Sequence, residues 1–271
     1  MTSKGERVRR FTRRHIANHW VMLVTFIGLV VTGMPQKYAS AEWAKGIVLI
    51  IGGVERVRFV HHLLGTIMAL QLLWHVLEGF WLHLVKNRPM PMVPALADVR
   101  NFVDQIKFNL GLAKEPPSMD RYTFAEKLEY LALVWGTVLM VATGLILLYP
   151  VRWSTLFPGE WILAAKAAHG GEAVLALLSI LTWHFYFVHV RHWNNAIFTG
   201  SLDADEYAEE HPLELARIRR GEETVGAGFE GWRLIVFVLV AAVLVGGVAA
   251  LMVWLRGTIP GMAAFRLLRL S

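Results

Sequence analysis

Apolar residues in this chain gather into long runs instead of the short alternations of a soluble core, and the run length is the first informative feature. Five runs approach or reach the roughly 20 residues that cross a hydrocarbon layer: 15–34, 59–85, 128–149, 162–190 and 232–255. The stretch 46–53 is too short to span and is expected at the interface or as a short helix between the first two spans. Trp20, Trp43, Trp81, Trp153, Trp161, Trp193 and Trp232 fall near the ends of these runs, where amphipathic rings anchor at headgroup depth. The predicted fold class is all-α integral membrane: a four-helix transmembrane bundle plus a fifth transmembrane helix. The expected organisation is a basic arm at 1–14, a four-helix unit at 15–200, a charged loop at 201–230, and the fifth helix with an outer tail at 231–271.

Charge refines the placement. The formal net charge is +6 over 271 residues, but the basic residues stand at the ends of apolar runs, where lipid phosphates and the positive-inside rule account for them. Nucleic acid is therefore not an expected partner. Lys4, Arg7, Arg9, Arg10, Arg13 and Arg14 favour a cytoplasmic N-terminus. Five spans then put the C-terminus outside, with the segments around 86–127 and 201–231 inside and those around 37–58 and 152–166 outside. Arg56, Arg58, Arg256, Arg266 and Arg269 act against this bias. The basic arm, first apolar run and Ala39-Ser40-Ala41 also imitate a secretory signal, the minor reading of that segment. The 201–221 segment, acidic and then basic, is expected to be a solvated helix with Pro212 near a helix start, linking two spans.

Candidate chemistry comes from the histidines. With no cysteine, the chain has no disulfide, no cysteine-ligated iron–sulfur cluster and no covalently attached haem, so a metal here must hang on imidazole. Eleven histidines are present, and those inside spans are costly enough to count as functional by default. His61 and His75 stand 14 residues apart on the second span, within about 40° of one face and separated by a rise of about 21 Å. His169 and His184 stand 15 apart on the fourth, about 60° round and about 22 Å apart in depth. These spans run in the same direction, so His61 pairs in depth with His169 and His75 with His184. A single buried histidine commonly just bonds a neighbouring helix, but two matching ladders point to iron porphyrin held by two imidazoles at each level.

Other side chains leave alternatives open. His19 starts at the inner depth and can replace His75 as the partner of His184, and a His19–His189 pair would make a third haem. Gly65 and Gly79, four residues after His61 and His75, leave room for a flat ring or for close helix packing. Glu78, one turn below His75, is a candidate proton relay or a snorkelling carboxylate. Glu172 follows His169 by three residues. Arg58, Arg152 and Lys166, at the outer level, could pair with propionates. His62 neighbours His61, and His83, His192 and His211 are expected at interfaces or in loops.

At these residues the sequence resembles the cytochrome b subunits of respiratory formate dehydrogenases and nickel–iron hydrogenases, b561-like bacterial proteins, and related cytochromes b that accompany multihaem cytochromes c. The matching stretches are Arg10-Phe11-Thr12, His19-Trp20, Thr32-Gly33, His61 to Gly65, His75, His169-Gly170-Gly171-Glu172-Ala173, Trp183-His184-Phe185-Tyr186 and Val188-His189. Glu209-Glu210-His211-Pro212-Leu213-Glu214 is similar to the multihaem-associated branch. The resemblance implies a bacterial inner membrane protein with bis-histidine b haems and a quinone site, for menaquinone or ubiquinone, near the cytoplasmic haem. It also implies inner ligands at His19 and His184.

The expected function is a quinone-coupled cytochrome b subunit with two haems, or three if His19 and His189 pair. It would exchange electrons with a periplasmic-side redox partner, an iron–sulfur subunit or a multihaem cytochrome c. The alternatives are a stand-alone b561-like transmembrane reductase and a haem-free transporter or membrane anchor.

Overall fold

The computed structural model describes residues 6–191, 193–222 and 230–257. Lys4, His192, Arg266, Arg269 and the tail beyond 257 lie outside the described residues. In chain order the elements are β1 (Arg7–Arg9), α1 (Arg13–Lys37), α2 (Glu42–Ile51), α3 (Val54–Phe80, continued by a π-turn Trp81–Val85) and α4 (Leu96–Asn109). There follow α5 (Phe124–Leu148), α6 (Pro150–Trp153) and α7 (Glu160–Ser179, continued by π-turns Ile180–His184 and Tyr186–Arg191). The last elements among the described residues are α8 (Ala196–Thr199), β2 (Ser201–Asp203), α9 (Ala204–Glu210), α10 (Pro212–Arg219) and α11 (Gly231–Arg256).

Among the described residues five helices are long and apolar enough to cross a membrane: α1, α3 with its π-turn, α5, α7 through Val190, and α11. Each covers one of the apolar runs. The main helix pairs are α1 with α3 and α5 with α7, and contacts of α1 with α7 and of α3 with α5 close the four into a ring. Val24, Leu70, Leu175 and Val243 stand more than half exposed on the outside, as expected where lipid replaces water against the helices. The short helix expected around 46–53 is α2, two residues before the second span, stopped by Gly52 and Gly53 at φ of 99° and 105°. Those angles fall where a side chain would strain the backbone. α4 carries an exposed apolar stripe of Leu96, Val99, Val103 and Ile106. It is tied to α5 by Lys127 to Asp98 at 2.9 Å.

The fifth span does not join the ring. It leans on it at both ends: Trp81 meets Phe237 edge-on at 5.1 Å, and Trp153 meets Trp254 at 5.2 Å with the Arg152 guanidinium 4.7 Å from the Trp254 ring. The end holding Trp81 also carries the N-terminal arm and is called the arm end here; the other is the far end.

At the arm end the 201–221 segment is a packed cap and not a solvated linker. The expected helix start at Pro212 is present, as the first residue of α10. β1 pairs antiparallel with β2, opposing Val8 to Leu202, and Val8, Ala196, Leu202, Ala204, Tyr207 and Leu215 form a buried cluster beneath them. Charge pairs stitch it to the bundle: Arg10 to Glu126 at 2.7 Å, Arg121 to Glu214 at 2.6 Å, and Arg217 to Asp120. Composition alone misleads here because each charge reads as solvated until its partner, about a hundred residues away in sequence, is known.

His211, expected at an interface or in a loop, is wholly buried in this cap. Its Nδ1–H donates to the Asp120 carbonyl at 2.7 Å. Burial, reinforced by Arg10, pushes its pKa below 6.5, against the opposing pull of Glu126, the Asp120 carbonyl and Glu214; Glu210 also lies near, at 3.8 Å. The unfolded segment therefore takes up a proton more readily than the folded one, so cap stability falls as pH drops below about 6.5. Hydrogen exchange across α9 and α10 should accelerate between about pH 7.5 and about pH 5.5 beyond the intrinsic chemistry. His211→Asn, which keeps a donor for Asp120, should flatten that slope; an unchanged slope would assign it to other groups.

Candidate haem-binding site

The far end is the simpler half. His61 on α3 and His169 on α7 face one another with ring centres 6.3 Å apart and planes at 70°. His61 Nδ1 lies 3.0 Å from Thr32 Oγ1 on α1, and His169 Nδ1 lies 2.9 Å from Thr143 Oγ1 on α5. Each hydroxyl spends its proton on the preceding turn, Thr32 on Gly28 O at 2.7 Å and Thr143 on Leu139 O at 2.6 Å. A hydroxyl has one proton to give, so both oxygens accept from an imidazole Nδ1–H. That sets the tautomer and leaves each Nε2 with its lone pair free, the arrangement metal-binding histidines use.

The spacing can be tested against a metal between the rings. An imidazole nitrogen binds a transition metal at about 2 Å with its ring centre about 1 Å behind, so two rings on one ion stand about 6 Å apart. The observed separation fits. Small residues flank both rings: a Cβ at Gly33 would stand 2.9 Å from His61 Cε1, and one at Gly144 would stand 3.4 Å from His169 Cε1. At Gly79 an added Cβ would meet nothing within 4 Å, and at Gly65 only Leu29 at 3.9 Å, so neither is required by close helix packing.

The two halves repeat. Arg10-Phe11-Thr12 and Arg121-Tyr122-Thr123 precede α1 and α5, Thr12 and Thr123 cap those helices in the same reciprocal way, and Thr32-Gly33 and Thr143-Gly144 follow at one common offset. This repeat is the signal by which sequence reading could have found Thr32 and Thr143. The ladder spacings also come into agreement. The π-turn Ile180–His184 takes in one extra residue, so 15 residues from His169 to His184 act as 14 would, matching His61 and His75.

The arm end breaks the repeat. His19 on α1 buries an Nδ1 with no hydrogen-bond partner, and its ionisable neighbours are His184 and His189. Its ring meets Phe198 edge-on at 5.5 Å. His184 Nδ1 lies 2.7 Å from Glu129 Oε1 on α5. His75 is turned elsewhere, with its Nε2 2.7 Å from the Tyr130 hydroxyl. Tyr130 is the counterpart of His19 at the common offset, so α1–α7 brings two imidazoles together where α3–α5 brings one imidazole and one phenol. An unpartnered buried nitrogen beside a second imidazole fits a metal-bound macrocycle better than a nitrogen already engaged by a phenol.

The other sequence candidates separate. His189 lies between Phe185 at 5.4 Å and Trp193 at 5.7 Å. Glu78 reaches Arg14 at 3.5 Å, and His15 has Glu78 and His75 among its charged neighbours. His62 lies beside His61 with ring centres 6.5 Å apart, and His83 Nδ1 stands 3.2 Å from Arg88 O. Glu172 approaches Gly136, where a Cβ would stand 2.6 Å from its Oε1. Arg58 is 3.9 Å from Glu55, Arg152 covers Trp254, and Lys166 is exposed. Lys37, not singled out from sequence, lies over Gly170 beside His169; a Cβ there would stand 3.0 Å from its Nζ.

Known proteins are similar to this chain in sequence. The cytochrome b556(fdo) subunits of formate dehydrogenase from Escherichia coli strains K12 and O157:H7 are each 22% identical over 220 residues, covering 81% of this chain and 97% of theirs. The family model described as prokaryotic cytochrome b561 matches residues 10–200, the whole ring of four helices with both histidine levels. With that match over most of its length and five spans, the chain belongs to the prokaryotic cytochrome b561 family: a multi-pass membrane cytochrome b that carries haem b and takes part in electron transfer.

Proposed function

We propose that this protein is the membrane subunit of a quinone-linked oxidoreductase, joining a quinone at the arm end to a redox partner at the far end through two b haems. The observation that carries the reading is two imidazole pairs at two depths of one four-helix ring, each pair supplied from facing helices. His61 and His169 hold the far-end haem, and His19 and His184 hold the arm-end one. Bound haem supplies one-electron chemistry. The chain's part is to present the Nε2 lone pairs of His61, His169 and His184 and the imidazole of His19, lock three of the rings through Thr32, Thr143 and Glu129, and keep two centres at depths about 21 Å apart along the helices.

The N-terminus is assigned to the cytoplasm by Arg9, Arg10, Arg13 and Arg14 together with Lys86, Arg88, Arg217, Arg219 and Arg233 at the same end. The far end then faces the periplasm. A redox partner is part of this reading, since the chain has no cysteine and, among the described residues, only short helices and a two-stranded pairing lie outside the five spans. The named relatives are formate dehydrogenase subunits; here the proposed partner is an iron–sulfur subunit or a multihaem cytochrome c. Quinone chemistry exchanges protons as well as electrons, and Glu78 is the proposed relay. It lies one turn from His75, and its partner Arg14 is largely exposed.

The test uses purified protein in liposomes, mixed anaerobically with menaquinol or ubiquinol while the haem absorbance is followed. Reduction by a quinol, slowed at least tenfold in Glu78→Gln, is the expected result. Reduction by ascorbate with neither quinol effective would replace this reading with a stand-alone transmembrane reductase.

A further inference from the structure

The four imidazoles proposed as ligands are not held alike, and the difference lies in charge. His61 and His169 give their Nδ1 protons to the neutral hydroxyls of Thr32 and Thr143. His184 faces a carboxylate, Glu129 Oε1, at 2.7 Å. The residue equivalent to Glu129 in the other half of the repeat is Asn18, an uncharged side chain whose backbone carbonyl accepts from Gln71 Nε2 at 2.6 Å. Among the described residues only one of the four imidazoles thus has an acidic side chain against its outer nitrogen.

We propose that Glu129 is a positioning residue that lowers the reduction potential of the arm-end haem by drawing on the His184 Nδ1 proton; this rests on His184 being an iron ligand, as argued above. A carboxylate accepting an imidazole N–H raises the basicity of the other nitrogen. A stronger donor and a nearby anion both favour the more positive, oxidised iron over the reduced one. A threonine hydroxyl orients a ring without adding that charge. The protein therefore has two haem positions of the same ligand type that differ in how firmly each holds its electron, and the distinction comes from α5. Glu129 and His184 are each about one-third exposed, so the interaction is screened less than a surface pair and more than a fully enclosed one.

Potentiometric titration of the purified protein, with each haem followed by its α-band, tests the assignment. Glu129→Gln keeps the size and removes the charge. The arm-end haem should become easier to reduce by about tenfold in its reduction equilibrium, about 59 mV for one electron, while the far-end haem stays in place. Equal potentials in Glu129→Gln and the unaltered protein, with both haems retained, would overturn the proposal. Should Glu129→Gln lose a haem, the near-infrared charge-transfer band of the oxidised unaltered protein decides. One haem shifted toward imidazolate character supports the role of Glu129, and two neutral-imidazole haems refute it. His184→Ala serves as the separate control: if both haems survive it, the ligand assignment fails, whatever Glu129 does.

Discussion

His61→Ala is expected to remove one haem from the purified protein, roughly halving the pyridine haemochrome count and leaving the arm-end spectrum intact. The magnitude follows from how the far end is built. His61 and His169 meet across the bundle at 6.3 Å, and each imidazole Nδ1–H is already accepted by a threonine. With either ring gone, the haem would be held by one imidazole only and lose its clamp. His169→Ala should therefore give the same loss, and the double change no further loss, because both side chains serve one group. A full count in either single variant would sink the far-end assignment. Lys37, over Gly170, offers an internal check: Lys37→Ala should leave the count unchanged, because it supplies charge beside the ring and not a bond to iron.

The second large effect distinguishes three histidines. His19→Ala and His184→Ala should each remove the arm-end haem, whereas His75→Ala should retain both haems. Position along the second span makes His75 an equally good partner for His184. Packing separates the two, because the His75 Nε2 is engaged by Tyr130 at 2.7 Å while the His19 Nδ1 is buried without a partner. Loss of haem in His75→Ala with retention in His19→Ala would reverse the assignment. Loss in all three together with His189→Ala would point to a third group. Counting haem in the same preparations used for quinol reduction separates a damaged ligand from a damaged quinone site. His75→Ala, with its phenol partner freed, would then report on the second of these alone.

Much of this was legible in the amino-acid order. Long apolar runs bounded by tryptophan and arginine determine spans, because a bilayer leaves a backbone few ways to cross it. The absence of cysteine restricts metal to imidazole, and histidine is costly enough in a span that two matched ladders carry information by themselves. The depths of His61, His75, His169 and His184 follow from counting, since rise per residue is a local property of the helix.

Facing is not local, and there only the tertiary structure decides. Which of His19 and His75 turns toward His184 depends on which helices neighbour one another and on Tyr130 occupying the place of a second imidazole. The 15-residue spacing in the fourth span becomes equivalent to 14 only through a π-turn that its sequence does not announce. The 201–221 segment reads as solvated charge, yet it is a packed cap because Arg10, Asp120 and Arg121 come from elsewhere in the chain to meet it. The carboxylate of Glu129 acquires its meaning from a contact with α7 that no periodicity predicts. Local geometry and solvent preference are written residue by residue, whereas hydrogen-bond partners between helices depend on the relative rotation of whole elements, which packing alone sets.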